Sequence, residues 1–258
     1  MSEPSVLVEH RGSTGVLTLD RAGKRNPLSS AAMVEFTAAL RELGADPEIA
    51  VIVVRARGPA FSAGHDLSEL VGAELEDQQE VFRLCTEMME AVQQVPQPVV
   101  AAVRGAALAA GCQLVASCDL VVAAEAAVFG TPGVRIGLFC STPMVPLSRA
   151  IGRKRALQML LTGEAISAER AADWGLVNEV VPAEQLEQRV GQLVEQIAAA
   201  SPLTLRTGKQ AFYRQIDLPQ HEAYEQMREV MANNAVTRDA QEGMAAFLDK
   251  REPVWRGE

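Results

Sequence analysis

Over the first 140 residues, apolar positions fall in short strand-length runs separated by stretches of helical period. Val6-Leu7-Val8-Glu9 and Gly15–Leu19 are strand-like, with Arg11-Gly12-Ser13 as a hairpin-type break. Arg21–Pro27 is polar and turn-like. Ser29 or Ser30 then caps a helix whose apolar residues Met33, Phe36, Leu40 and Leu43 recur at three to four positions. Ala50–Arg55 is a β-branched strand closed by the Gly58-Pro59 turn. Glu76–Val95 is an amphipathic helix carrying Val81, Leu84, Cys85, Met88, Met89 and Val92 on one stripe. Val99–Val103 is a buried strand, Ala106–Cys118 a small-residue helix, and Leu120–Ala123 and Ala127–Phe129 are short strands.

From about residue 143 the rhythm changes. Helical segments follow one another at Arg153–Thr162, Ala168–Trp174, Ala183–Ala200, Pro202–Tyr213, His221–Ala235 and Arg238–Lys250, with Val177–Val181 as the one strand among them. Strands alternating with helices, then mostly helices, predict an α/β core over residues 1–200 and a helical C-terminal region over 201–258.

Composition narrows the function classes. A chain of 258 residues is one large domain, or a domain with an appended subdomain. A formal charge of −9 disfavours nucleic acid as a partner, although local cations such as Lys24 and Arg25 can still hold a phosphate-bearing ligand. No apolar run reaches the roughly 18–20 residues of a membrane span, so no membrane partner is expected. Strand-like sequence begins within the first ten residues, which leaves no room for a transit peptide. The four cysteines, Cys85, Cys112, Cys118 and Cys140, have neither disulfide-framework density nor metal-ligand spacing. These features predict a reducing, cytoplasmic setting and no metal.

Two small-residue loops carry the candidate chemistry. Phe61-Ser62-Ala63-Gly64-His65-Asp66-Leu67 follows one strand, and Arg104–Gln113 follows another. Small residues let a backbone approach a ligand closely, and a strand feeding a helix start leaves N–H groups pointing outward. Facing each other, the two loops form a cradle for a carbonyl oxygen that gains negative charge. Taken singly, each also reads as an ordinary tight turn.

The segments Ala60–Leu67, Val103–Leu120, Leu161–Ala168, Trp174-Gly175-Leu176-Val177 and Gly243…Phe247-Leu248-Asp249-Lys250-Arg251 together resemble, in order, the crotonase (enoyl-CoA hydratase/isomerase) superfamily. Gly64-His65-Asp66-Leu67, Gly111-Cys112-Gln113 and Gly137–Pro143 are similar to one subgroup of it, that of enoyl-CoA hydratase domain-containing protein 3. The resemblance implies a ββα superhelix core, a C-terminal helical trimerisation region and a homotrimer or a hexamer of two trimers. It also implies an acyl-CoA substrate of lipid metabolism, so coenzyme A arrives as part of the thioester and no cofactor is permanently bound. The amides of His65 and Ala110 would form the oxyanion hole. Lys24, Arg25, Leu28, Ala63, Asp66 and Leu67 would meet the CoA, with Phe247 and Lys250 reaching the nucleotide of a neighbouring subunit.

The pattern departs from a hydratase at its acids. Hydratases of this superfamily carry glutamates at positions that correspond here to Gln113 and Gly133. Adding water across a double bond needs a base and an acid, and an amide is neither at neutral pH. Gln113 can still orient a water. Cys140 lies near where some relatives place a functional aspartate; it reads as a reactive thiol or as an inert buried one. The sequence therefore leaves two readings, an acyl-CoA enzyme whose reaction is not ordinary hydration and a non-enzymatic acyl-CoA-binding or regulatory oligomer.

Overall fold

The computed structural model describes residues 4–258. The chain opens with a hairpin, β1 (Val6–Arg11) against β2 (Thr14–Leu19), in antiparallel register from Val6–Leu19 to Arg11–Thr14. A short 3-10 turn (Ala22–Lys24) and β3 (Pro27–Leu28) lead into α1 (Ser30–Ala45). Ser29 caps that helix by accepting the Ala32 N–H. Next come β4 (Val51–Ala56), β5 (Ala60–Ser62), β6 (Gly64–His65) and α2 (Leu75–Gln94). The central part runs β7 (Val99–Val103), β8 (Ala106–Leu108), α3 (Ala110–Ser117), β9 (Leu120–Ala124) and β10 (Val128–Gly130).

A 3-10 segment over Pro132–Ile136 precedes α4 (Met144–Ile151) and α5 (Arg153–Thr162). β11 (Ile166–Ser167), α6 (Ala168–Trp174), β12 (Glu179–Val181) and α7 (Leu186–Ala198) complete the core. The chain ends in α8 (Pro202–Gln215), α9 (Gln220–Ala235) and α10 (Arg238–Asp249).

The main sheet has strand order β1-β2-β4-β7-β9-β12, parallel beyond the first hairpin. Its inner strands β7 and β9 are apolar at every position because both faces are covered. Ile52, Val54, Val99, Ala101 and Val103 join the larger core beneath α1, α2 and α3. The alternate residues Val51, Val53, Val100 and Ala102 pack against Leu186, Val190 and Val194 of α7. A period of two thus divides each strand between two cores.

The second sheet, β11-β10-β8-β5, corrects one sequence expectation. Ala106–Leu108 is not the start of a helix but a strand, paired in parallel with Val128–Gly130 and with β5. Alanine-rich sequence favours a helix locally, and two flanking strands that need partners override it. The chain then turns at Ala109, whose φ of 48° and ψ of −118° strain any residue with a Cβ, and α3 begins one residue later. α4 and the 3-10 segment before it were not foreseen because both are short and Pro132, Pro143 and Pro146 read as breaks.

α8 is fastened to the core by a buried cation. Lys209 Nζ donates to the carbonyls of Val92 and Gln97 at 2.8 and 2.9 Å and pairs with Asp119 at 2.8 Å. Asp119 in turn accepts the Val99 N–H and the Tyr213 hydroxyl. Burial pulls the Lys209 pKa down, an effect opposed by Asp119. On the far side of these helices Phe212, Tyr224, Met231, Phe247 and Leu248 stand exposed.

Candidate active site

The two small-residue loops meet at the mouth of the second sheet. β6 pairs with β3 in parallel, Leu28 opposite His65, and the Asp66 N–H donates to the Leu28 carbonyl at 3.4 Å. Successive N–H groups along a strand point to opposite sides, so the His65 N–H points away from β3. Ala110 is the first residue of α3, and a helix offers no internal acceptor to its first N–H groups. Both amides are thus left over by the secondary structure that positions them.

The two segments are in close contact. A Cβ built on Gly64 would lie 2.8 Å from the Ala109 Cβ and 3.4 Å from the Ala110 nitrogen. One built on Gly111 would lie 2.5 Å from the Ser62 carbonyl oxygen. Glycine at 64 and 111 is what lets the loops close to this distance.

They open onto a cleft of about 930 Å³ lined by Lys24, Ala63, His65, Asp66, Leu67, Ala110 and Cys140 among the residues singled out by sequence. Phe82, Gly133, Arg135, Ile136, Leu138 and Phe139 supply further walls. The helix Glu76–Val95 that carries Phe82 and the Leu138-Phe139 region are walls the sequence reading expects; Arg135 and Ile136 escaped it because neither belongs to a motif. At the rim, Asp66 accepts both the Ser68 N–H and hydroxyl, which holds its carboxyl below the usual range. Arg25 is exposed in the left-handed conformation, and its carbonyl accepts the Ala63 N–H.

Other residues fall outside the cleft lining. Leu28 is core, 1% exposed, and meets the site only through its backbone. Gln113 is buried, and its Oε1 faces the Cys85 sulfur at 3.6 Å. Phe247 and Lys250 lie at the exposed end of α10, with Lys250 closing that helix in the left-handed region.

Position 133, where the resemblance would have a second acid, is closed to a side chain. A Cβ on Gly133 would stand 2.1 Å from the Leu138 carbonyl oxygen and 2.9 Å from the Cys140 sulfur. The 3-10 segment folds back there, with the Leu138 N–H on the Gly133 carbonyl at 3.0 Å and Gly137 in the left-handed region. Cys140 is buried, and burial pushes its thiol pKa up, opposed by the Gly133 backbone. Cys85 and Cys112 are pushed up to about 12 by the same cause. None of these thiols is poised to ionise.

Residues 9–258 match the family model described as enoyl-CoA hydratase/isomerase. The chain belongs to the enoyl-CoA hydratase/isomerase family. It is 45% identical to enoyl-CoA hydratase domain-containing protein 3, mitochondrial, of Rattus norvegicus over 257 residues, 98% of this chain and 85% of that protein. An enoyl-CoA hydratase structure from Mycobacterium smegmatis superposes with a TM-score of 0.96 at 43% identity, covering 98% of this chain and 99% of its own. The structure of human enoyl-CoA hydratase domain-containing protein 3 gives 0.95 at 42%, covering 97% and 100%.

The crotonase fold and the domain-containing protein 3 subgroup are thereby established for this chain. The expected cytoplasmic setting is overturned. The rat relative and its counterparts from Mus musculus, Danio rerio and Homo sapiens are all named as mitochondrial.

Proposed function

We propose that this protein binds an acyl-CoA and polarises its thioester carbonyl between the amides of His65 and Ala110, without catalysing ordinary hydration. The observation that carries the reading is the approach of Gly64 to Ala109 and Ala110 at the head of an apolar cleft. A preorganised donor of this kind is worth roughly 3–4 kcal/mol to a developing oxyanion. Such a cradle suits thioester hydrolysis or another enolate-forming step in fatty-acid metabolism.

Coenzyme A enters as part of the substrate. Lys24, Ala63, Asp66 and Leu67 line its approach, Arg25 adds a cation at the rim, and Phe247 and Lys250 act on the nucleotide bound by a neighbouring subunit. A homotrimer or a hexamer of two trimers supplies that neighbour, a reading supported by the exposed apolar side chains of α8–α10. The closed space at Gly133 and the buried amide of Gln113 favour a second reading, in which the oligomer binds acyl-CoA and does no chemistry.

Titration calorimetry with butyryl-CoA, beside a crotonyl-CoA hydration assay, tests the proposal. Micromolar or tighter binding that weakens in Arg25→Ala and Lys250→Ala, with hydration at background, is the expected result. Absence of binding refutes both readings, and hydration at the rate of an ordinary hydratase refutes the assignment of positions 113 and 133.

A further inference from the structure

Ala109 is held in a conformation that its side chain does not favour. Among the described residues, four other than glycine have a positive φ: Arg25, Asn26, Ala109 and Lys250. Arg25 and Lys250 lie in the left-handed helical region, each closing a helical turn, and asparagine tolerates such angles. Ala109, at φ 48° and ψ −118°, falls outside that region, where a Cβ crowds the neighbouring peptide and glycine is the usual occupant.

The turn itself asks only for the backbone. β8 ends at Leu108, paired with Gly130, and α3 starts at Ala110, so the chain must reverse within one residue. Glycine would make that reversal without strain. What alanine adds is a methyl group, and its surroundings show where that group is felt. The Ala109 N–H is taken by the Gly130 carbonyl at 2.8 Å, and the Ala109 carbonyl by the Gln113 N–H at 3.0 Å. The residue is half-buried and lines the cleft, so with both backbone groups committed the surface it offers there is the methyl.

This methyl stands at the seam of the two loops. A Cβ built on Gly64 would lie 2.8 Å from it and 3.4 Å from the Ala110 nitrogen, and Ala110 itself is buried. Across the seam, Gly64 has no side chain that could turn aside. The width of the cradle is therefore set by backbone on one side and by a single methyl on the other.

We infer that Ala109 is a specificity-determining residue, its methyl narrowing the cradle so that an unbranched acyl thioester fits and one branched at the α-carbon does not. This rests on the acyl-CoA reading above. A thioester oxygen at the amides of His65 and Ala110 brings its carbonyl carbon, with the sulfur and α-carbon attached, against the residue just before Ala110. The sulfur carries no branch, so the α-carbon is where the width is read. The strain at Ala109 is the cost of keeping that filter.

Calorimetry with butyryl-CoA and 2-methylbutyryl-CoA, which differ by one methyl on the α-carbon, tests the inference. Wild type should bind the branched thioester about tenfold or more weakly, the usual discrimination for one extra methyl group. Ala109→Gly should bring the two within about threefold of each other by raising the affinity for the branched one, while Ala109→Ser, which keeps a Cβ, should retain the discrimination. Ala109→Gly should also melt about 2–6 °C higher, because the strain is gone. Equal binding of the two thioesters by wild type, an unchanged ratio in Ala109→Gly, or a melting temperature that does not rise overturns the inference. Failure of wild type and Ala109→Gly alike to bind butyryl-CoA overturns the underlying acyl-CoA reading instead.

Discussion

If hydration fails for want of an acid at position 133, as proposed, a carboxylate placed there is the obvious remedy, and the backbone forbids it. The Cβ common to every residue but glycine would lie 2.1 Å from the Leu138 carbonyl oxygen, more than 1 Å short of ordinary contact, and 2.9 Å from the Cys140 sulfur. The flexible sulfur can yield; the carbonyl cannot without unwinding the turn that the Leu138 N–H to Gly133 carbonyl bond closes. Overpacking of this kind costs about 1–3 kcal/mol. Loss of the turn bond adds about 0.5–1.5 kcal/mol.

Gly133→Ala should therefore lose about 3 kcal/mol, and at about 2–4 °C per kcal/mol for a chain this long its melting temperature should fall by roughly 6–12 °C. Gly133→Glu should fall at least as far and gain no hydratase activity. Gly191→Ala, where an added Cβ meets nothing within 4 Å in the middle of α7, is the control and should gain about 0.5–1 kcal/mol from helix propensity alone. Differential scanning fluorimetry of the variants decides the matter. A Gly133→Ala protein that melts within 2 °C of wild type (about 1 kcal/mol) would refute the reasoning.

The other predictions concern the cradle and its supports. Gln113→Glu should leave crotonyl-CoA hydration near background, because no second acid faces it; substantial turnover would show that one carboxylate suffices. Gly64→Ala puts a Cβ 2.8 Å from the Ala109 Cβ at a φ of 102°, so the two loops should part and butyryl-CoA binding weaken while circular dichroism keeps its helical signal. Because burial depresses the folded-state pKa of His65, the unfolded chain binds more protons below about pH 6.5. Stability carried by the neutral ring should thus be complete above that pH and fall as the pH drops toward the folded-state value, and His65→Gln should flatten this part of the melting-temperature profile. Lys209→Met leaves the Asp119 carboxylate without its cation and should cost about 3 kcal/mol in urea denaturation, whereas adding Asp119→Asn should recover part of the loss.

Strand and helix periods made most of the fold legible in the sequence. The β-branched runs at 51–56 and 99–103 and the stripes of α1 and α2 lie within a residue or so of their expected bounds. What periodicity hid was decided by pairing at a distance. Ala106–Leu108 is a strand only because β5 and β10 flank it, and the turn at Ala109 has no sequence signature because its residue is not glycine.

The cleft was legible through its motifs, which named His65, Ala110, Asp66 and Cys140 among its lining residues. Gln113 shows the limit of that approach: spacing placed it beside the reactive position, while its rotamer turns its Oε1 toward Cys85. The folding-back of residues 133–138 was likewise invisible, since nothing in a Pro-Gly-Val-Arg string states which carbonyl will cover the glycine.

The groups left over at residues 65 and 110 belong to the peptide itself. Nearly any amino acid at either place would still present the same hydrogen, proline being the exception. If these groups hold a thioester as proposed, a lineage built on this frame can exchange its acids, thiols and rings one mutation at a time without dismantling that grip. Descendants that abandon one chemistry retain a starting point for another.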